Sequence, residues 1–196
     1  MSVLSHFVRW RLGLARAETQ TTTAERDCLG RYGAGKSRLV EIGVWHGVTT
    51  CRLRRVMAED GVLFAVDPFP RGRLGFSAQR YIAMHEVERV KGGIVLWIRK
   101  TGEEAGRAHA HYRDPPVDFV FIDGDHTREG LRGDWEAWSP LIASKGIVAL
   151  HDSRSTPKRP IDDAGSVIFT RESILPDPRF MVVDTVDSLT VLRRRA

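Results

Sequence analysis

Cysteine is scarce in this chain: Cys28 and Cys51 are its only two. Two thiols build neither a disulfide framework nor a thiolate zinc cluster, and such sparing use fits a reduced, cytoplasmic setting. Long hydrophobic runs are missing too. The opening MSVLSHFVRWRLGLA is broken by Arg9 and Arg11, which argues against both a membrane-spanning helix and a secretory leader. A short amphipathic helix there could rest on a partner or a membrane surface, but packing on its own domain is favoured. A strong charge of one sign is also lacking. Lys+Arg number 30 against Asp+Glu 25, a net +5, and Arg9, Arg11, Arg193, Arg194 and Arg195 sit near the ends as solvated tails. That disfavours nucleic acid as a partner. No internal repeat and no low-complexity segment occurs, and homo-oligomer formation is left open.

What is present is a strand–helix alternation. At 196 residues, with 42% hydrophobic and 28% charged, the chain suits one soluble domain with a sizeable core. Short, near-continuous apolar stretches predict strands at Arg38–Ile42, Val62–Val66, Ile94–Ile98, Val117–Ile122 and Ile147–Leu150, as parallel strands buried on both faces require. Helices are expected at Thr49–Glu59, Ser77–Val90, Glu103–His111 and Arg128–Ala143. In the last, Leu131, Trp135, Trp138 and Ile142 make one apolar stripe. Gly61 and Gly146 fall where helix C-caps would sit. Phe180–Asp184 and Leu189–Leu192 read as an antiparallel hairpin. The pattern is α/β: a Rossmann-like, doubly wound, mostly parallel sheet ending in an antiparallel hairpin strand. Residues 1–36 form an N-terminal helical extension and 37–196 the main domain, with 152–164 a polar surface loop.

Residues 30–37, GRYGAGKS, satisfy the spelling of a triphosphate-binding loop, but the context is reversed. Such a loop needs a buried strand before it and a helix after it. Here AERDCL precedes it and the strand-like RLVEIGVW follows, so the stretch is expected to be a helix-ending turn. LVEIGVWHGVTT does have strand, glycine turn and helix in order. Gly43 and Gly47 let backbone approach a ligand, and Asp67, ending the second strand, is placed to accept ribose hydroxyls. Trp45 stands where a dinucleotide fingerprint wants glycine, so an NAD(P)-dependent oxidoreductase is the lesser alternative. The E-x-G-x-x-x-G run of Glu41, Gly43 and Gly47 resembles the first motif of class I S-adenosylmethionine-dependent methyltransferases. The resemblance implies that Glu41, Gly43, Gly47 and Asp67 serve S-adenosylmethionine, that Thr101 lies near the adenine, and that Asp123 borders the same site.

A polar cluster follows the fourth strand: Asp123, Asp125 and His126 in IDGDHTREG, with His151-Asp152-Ser153 after the fifth. Neighbouring parallel strands bring Asp123 and Asp152 to one rim, where ligands of open α/β sheets bind. Paired carboxylates repel unless a cation or a proton intervenes, and oxygen donors favour a hard ion such as Mg²⁺. DGDH followed by a Trp-containing helix and GIVALHD is similar to the metal-dependent bacterial small-molecule and sugar O-methyltransferases of the macrocin type. That resemblance implies Asp123 and Asp152 as metal ligands and Asp125 or His126 as the base. Relatives commonly carry an aromatic residue where Arg128 stands, which leaves the substrate open. Set against these roles, Asp125 and Thr127 could simply cap a helix. Asp134 and Glu136 read as solvated helix charges, and His6, His85, His109 and His111 as surface residues, while His46 and His151 are ambiguous. Lys158 and Arg159 are placed to contact an anionic or sugar substrate. The expected activity is methyl transfer to a hydroxyl of a small molecule or sugar. A cofactor-binding protein without turnover is the other alternative.

Overall fold

The computed structural model describes residues 3–72 and 75–196; Met1 and Ser2 of the N-terminal extension lie outside it. In chain order the elements are α1 (Val3–Arg11), α2 (Thr23–Gly33), β1 (Arg38–Ile42), α3 (Val48–Val56), β2 (Val62–Val66), α4 (Ala78–Glu88), β3 (Ile94–Ile98), α5 (Gly102–His111), β4 (Val117–Ile122), α6 (Arg128–Trp138), β5 (Ile142–Leu150), α7 (Gly165–Phe169), β6 (Phe180–Val186) and β7 (Leu189–Arg194). One sheet of seven strands runs β3-β2-β1-β4-β5-β7-β6. Its first five are parallel, and β7 pairs antiparallel with both β5 and β6.

The near-continuous apolar strands follow from burial on both faces. Val40, Ile42, Val120, Ile122 and Leu150 point to the side covered by Leu131, Trp135 and Trp138 of α6. Their neighbours Leu39, Phe119, Phe121 and Ala149 meet Cys28 and Leu29 of α2 and Leu53 of α3. Four helix starts are set by hydroxyl caps. Thr22 and Thr101 each form a capping box, with Glu25 and Glu104, and Ser77 and Thr127 cap α4 and α6.

Three boundaries differ most from expectation. The helix expected to reach Ala143 stops at Trp138, and a 3₁₀ turn over Ser139–Leu141 carries Pro140. Proline removes the amide the next turn needs and disfavours helical backbone in the residue before it. Ile142 is still buried with the stripe, but it opens β5, and Gly146 lies inside that strand instead of capping a helix. α3 also ends early, at Val56. The short helix α7 and the π-turn after it, Thr170–Ile174, lie in a stretch that carried no helix expectation.

GRYGAGKS is the end of α2 and a turn. Gly35 takes φ +68°, its amide donates to the Val56 carbonyl at 2.8 Å, and β1 begins at once. α1 packs against its own domain: Trp10 is buried and donates from Nε1 to Glu86 of α4 at 2.8 Å. No described helix is long and apolar enough to cross a membrane.

Candidate active site

The carboxyl ends of β1, β2 and β4 open into a cavity of about 680 Å³, whose wall includes Gly43, Asp67, Thr101, Asp123, Asp125 and His126. Gly43 is required by a crossing of backbones. It has φ +86°, and a Cβ there would stand 2.0 Å from the Asp123 carbonyl oxygen. Gly47 begins α3 at φ +76°, where a Cβ would press on the Ala83 backbone at 3.1 Å. Asp67 organises the turn between them. Its Oδ2 accepts from the amides of Val44 (3.1 Å) and Trp45 (3.3 Å), and its Oδ1 from Phe69 (2.7 Å). These three bonds occupy both lone pairs of Oδ2 and leave one on Oδ1 for a further donor.

Glu41 lies beneath this floor. It is fully buried, neither carboxyl oxygen has a hydrogen-bond partner, and burial pushes its pKa up to about 8. Thr101 Oγ1 caps α5 by accepting from the Glu104 amide at 3.2 Å. Asp134, expected on a solvated face, is buried and borders the cavity beside Gly102. Burial first, then the charges of Asp125 and Glu103, raise it to about 7 against the pull of the Glu103 amide. The sequence did carry the signal, since Asp134 lies three residues after Leu131 and next to Trp135. Two of the expected surface histidines are also buried: His6, and His109, whose Nε2 lies 3.1 Å from the Pro115 carbonyl.

At the ends of β4 and β5, Asp123 and Asp152 do reach one rim. His126 Nε2 stands 3.6 Å from an oxygen of the first and 4.0 Å from an oxygen of the second. Asp125 instead accepts from the Thr127 amide at 2.9 Å, shaping the turn before α6. Behind them is a buried chain of charges that the motifs did not reveal. His151 places Nδ1 2.8 Å from Asp123 Oδ1 and Nε2 3.4 Å from Glu25 Oε2. Burial alone would lower the His151 pKa, but these flanking carboxylates lift it to about 10. Glu25 is driven the other way. Against the upward push of burial, His151, the Thr22 amide and Ser188 hold it at about 2. The Asp152 carboxylate is gripped by the Arg159 guanidinium. Each rim carboxylate thus already has a basic partner, although Asp152 Oδ1 has no hydrogen-bond partner. Asp123, His126 and His151 bring three donor atoms within 4.8 Å of one another. Two imidazoles and one carboxylate do not fit Mg²⁺, which wants an all-oxygen shell with several waters.

The N-terminal segment closes one side of the cavity. Glu18, Thr19 and Gln20 line it, and the Glu18 amide donates to His46 Nδ1 at 3.1 Å. Burial and the nearby His6 lower the His46 pKa to about 4, so this ring is a neutral acceptor. No motif in residues 18–20 signalled that contribution.

A family profile described as "Methyltransferase domain" matches residues 40–153, from β1 through the carboxylate rim. The chain belongs to this methyltransferase family. The match covers more than half of the methyltransferase and sets aside the oxidoreductase alternative. An uncharacterized protein of Sinorhizobium fredii is 29% identical over 123 residues, 59% of this chain; the match spans only 13% of that protein. Among solved structures, the O-methyltransferase TomG from Streptomyces achromogenes, in complex with SAM, superposes with a TM-score of 0.70 at 14% identity, covering 100% of this chain and 91% of that one. An O-methyltransferase from Bacillus cereus in complex with SAH gives 0.63 at 17%, with 98% and 89% covered. A putative rRNA methylase from Clostridium thermocellum gives 0.64 at 12%, with 91% and 99% covered. Neighbours with such different acceptors at such low identity share the fold, and the fold does not choose the acceptor.

Proposed function

We propose that this methyltransferase moves a methyl group from S-adenosylmethionine to a hydroxyl of a small molecule or sugar. The observation that carries the reading is His126, which stands on the same cavity wall as the Gly43 turn and Asp67. S-adenosylmethionine supplies an electrophilic methyl group on a sulfonium. The turn from Gly43 to Gly47 and the N-terminus of α3 receive the polar end of that molecule, and Asp67 accepts from its ribose. Thr101 and Asp134 lie where the adenine would rest.

Transfer to a hydroxyl leaves a proton to remove. His126 takes it at Nε2, which faces carboxylate oxygens of Asp123 and Asp152 at 3.6 and 4.0 Å. Asp125 has a structural task in the turn before α6, so the geometry favours His126 as the base. Asp123 holds that proton site from one side and the wall of the cofactor cavity from the other.

The test is intact-mass detection of a methylated product across a panel of hydroxylated small molecules and sugars. With an acceptor in hand, His126→Ala should lower kcat by about 10²–10⁴-fold while calorimetry shows S-adenosylhomocysteine binding unchanged. Full activity in that variant would remove His126 from the reaction. Cofactor binding with no product from any acceptor would favour the non-catalytic alternative.

A further inference from the structure

The two rim carboxylates that a resemblance would give to a metal ion have protein cations against them, and one of those cations is held in place by its own small scaffold. Arg159 ends a four-residue turn, Thr156-Pro157-Lys158-Arg159. The Thr156 amide donates to the Arg159 carbonyl and the Arg159 amide to the Thr156 carbonyl, both at 3.0 Å, while Thr156 Oγ1 accepts from the Arg159 amide at 3.1 Å. Pro157 presets the backbone of such a turn. Ser155 fastens it further, accepting from the Ile161 amide at 3.1 Å and donating to Asp162 at 2.8 Å. The side chain presented this way meets Asp152, which is almost wholly buried and backed by Ser166 Oγ donating to its carbonyl at 2.7 Å.

A buried carboxylate with one partner removed is an uncompensated charge and strongly unfavourable. Asp152 therefore needs a cation, and a guanidinium, charged at every working pH, supplies it permanently. His151 does the same for Asp123 by standing between it and Glu25.

We propose that Arg159 is a positioning residue that takes the place of a divalent cation at Asp152, so that the rim of this methyltransferase holds His126 in a field set by protein charges alone. The inference rests on the reading of His126 and the cavity given above, but its test does not need the acceptor. A divalent ion would have to displace Arg159 to reach Asp152, and it would be repelled by the guanidinium if it did not.

The experiment is a Mn²⁺ titration of the full chain saturated with S-adenosylhomocysteine, read from the electron paramagnetic resonance signal of free Mn²⁺. The wild type should take up no stoichiometric Mn²⁺. Arg159→Ala should gain one site, with affinity raised on the order of tenfold or more, since a close carboxylate is left without its countercharge. Arg159→Lys should restore exclusion. Arg159→Gln keeps most of the side-chain bulk and serves as the second variant if the alanine chain is unstable. One Mn²⁺ bound by the wild type and lost in Asp152→Ala would overturn the proposal, and the wild-type titration alone can deliver that result. So would failure of both folded variants to gain a site. Calorimetry of S-adenosylhomocysteine on the same samples separates this from the proposed function: no cofactor binding sinks the cofactor reading, whatever Mn²⁺ does.

Discussion

Neither oxygen of the Glu41 carboxyl makes a well-formed hydrogen bond, the nearby Thr50 hydroxyl giving only a weak opposing pull, and the side chain has no contact with solvent. Such a group is held neutral by burial, and its pKa moves from 4.5 to about 8. Between those two values the folded chain keeps a proton that the unfolded chain has released, so stability falls as pH rises from 4.5 to 8. Replacing Glu41 with Gln, which has no proton to lose, should remove that dependence. Thermal melts at pH 5 and pH 8 are expected to show wild type losing more stability than Glu41→Gln over the interval. An equal loss in both chains would mean that Glu41 is ionised in the fold. Glu41 was visible in the motif, whereas its isolation was not, because burial depends on Asp123 and Gly124 crossing above Gly43. Asp134 makes the same point from the opposite direction. Its charge suggested solvent, but its position on the apolar face of α6 decided its burial.

At the scale of elements, α2 joins the fold to the site. Its capping box sets Glu25 with one oxygen on the Thr22 amide at 2.8 Å and the other on the Ser188 amide at 3.0 Å and hydroxyl at 2.8 Å. Thr22 Oγ1 also donates to Asp187 at 2.7 Å. Thr22→Ala should therefore cost about 1 kcal/mol as a lost cap, seen as a fall in Tm of about 2–4 °C in a chain of this size. An unchanged Tm would show the cap to be idle. The strands were legible because a run of Val, Ile, Leu and Phe buried on both faces needs no partner to be recognised. The charge chain Glu25–His151–Asp123 was not, since it joins three segments that only the sheet order brings together. For the same reason the motifs named Asp123, Asp152 and His126 but could not assign Arg159 to Asp152.

Across the whole molecule, β7 sits between β5 and β6 and closes the side of the sheet next to the rim. Its start is tied to the site. Ser153 Oγ lies 2.8 Å from Thr190 Oγ1 and 3.1 Å from the Ser188 carbonyl, one residue beyond Asp152. A chain truncated after residue 178 loses the buried Phe180, Leu189, Val191 and Leu192 and the partner strand of β5, so its S-adenosylhomocysteine binding should fall below detection as the rim loses its support. Calorimetry at matched concentration is the check, and undiminished affinity would confine the site to the parallel strands.

The late position of β7 has a consequence for how the chain is made. A ribosome releases the five parallel strands first, and until residues 189–194 emerge β5 is a nine-residue strand whose outer edge has no hydrogen-bonded neighbour. Open, apolar strand edges are templates for pairing with other chains. The nascent protein thus passes through an interval in which its rim is half assembled and its sheet can recruit a stranger, and slow translation between β5 and β7 would lengthen that interval. Yield of soluble protein should then depend on the codons between β5 and the end of β7 more than on those of any earlier strand.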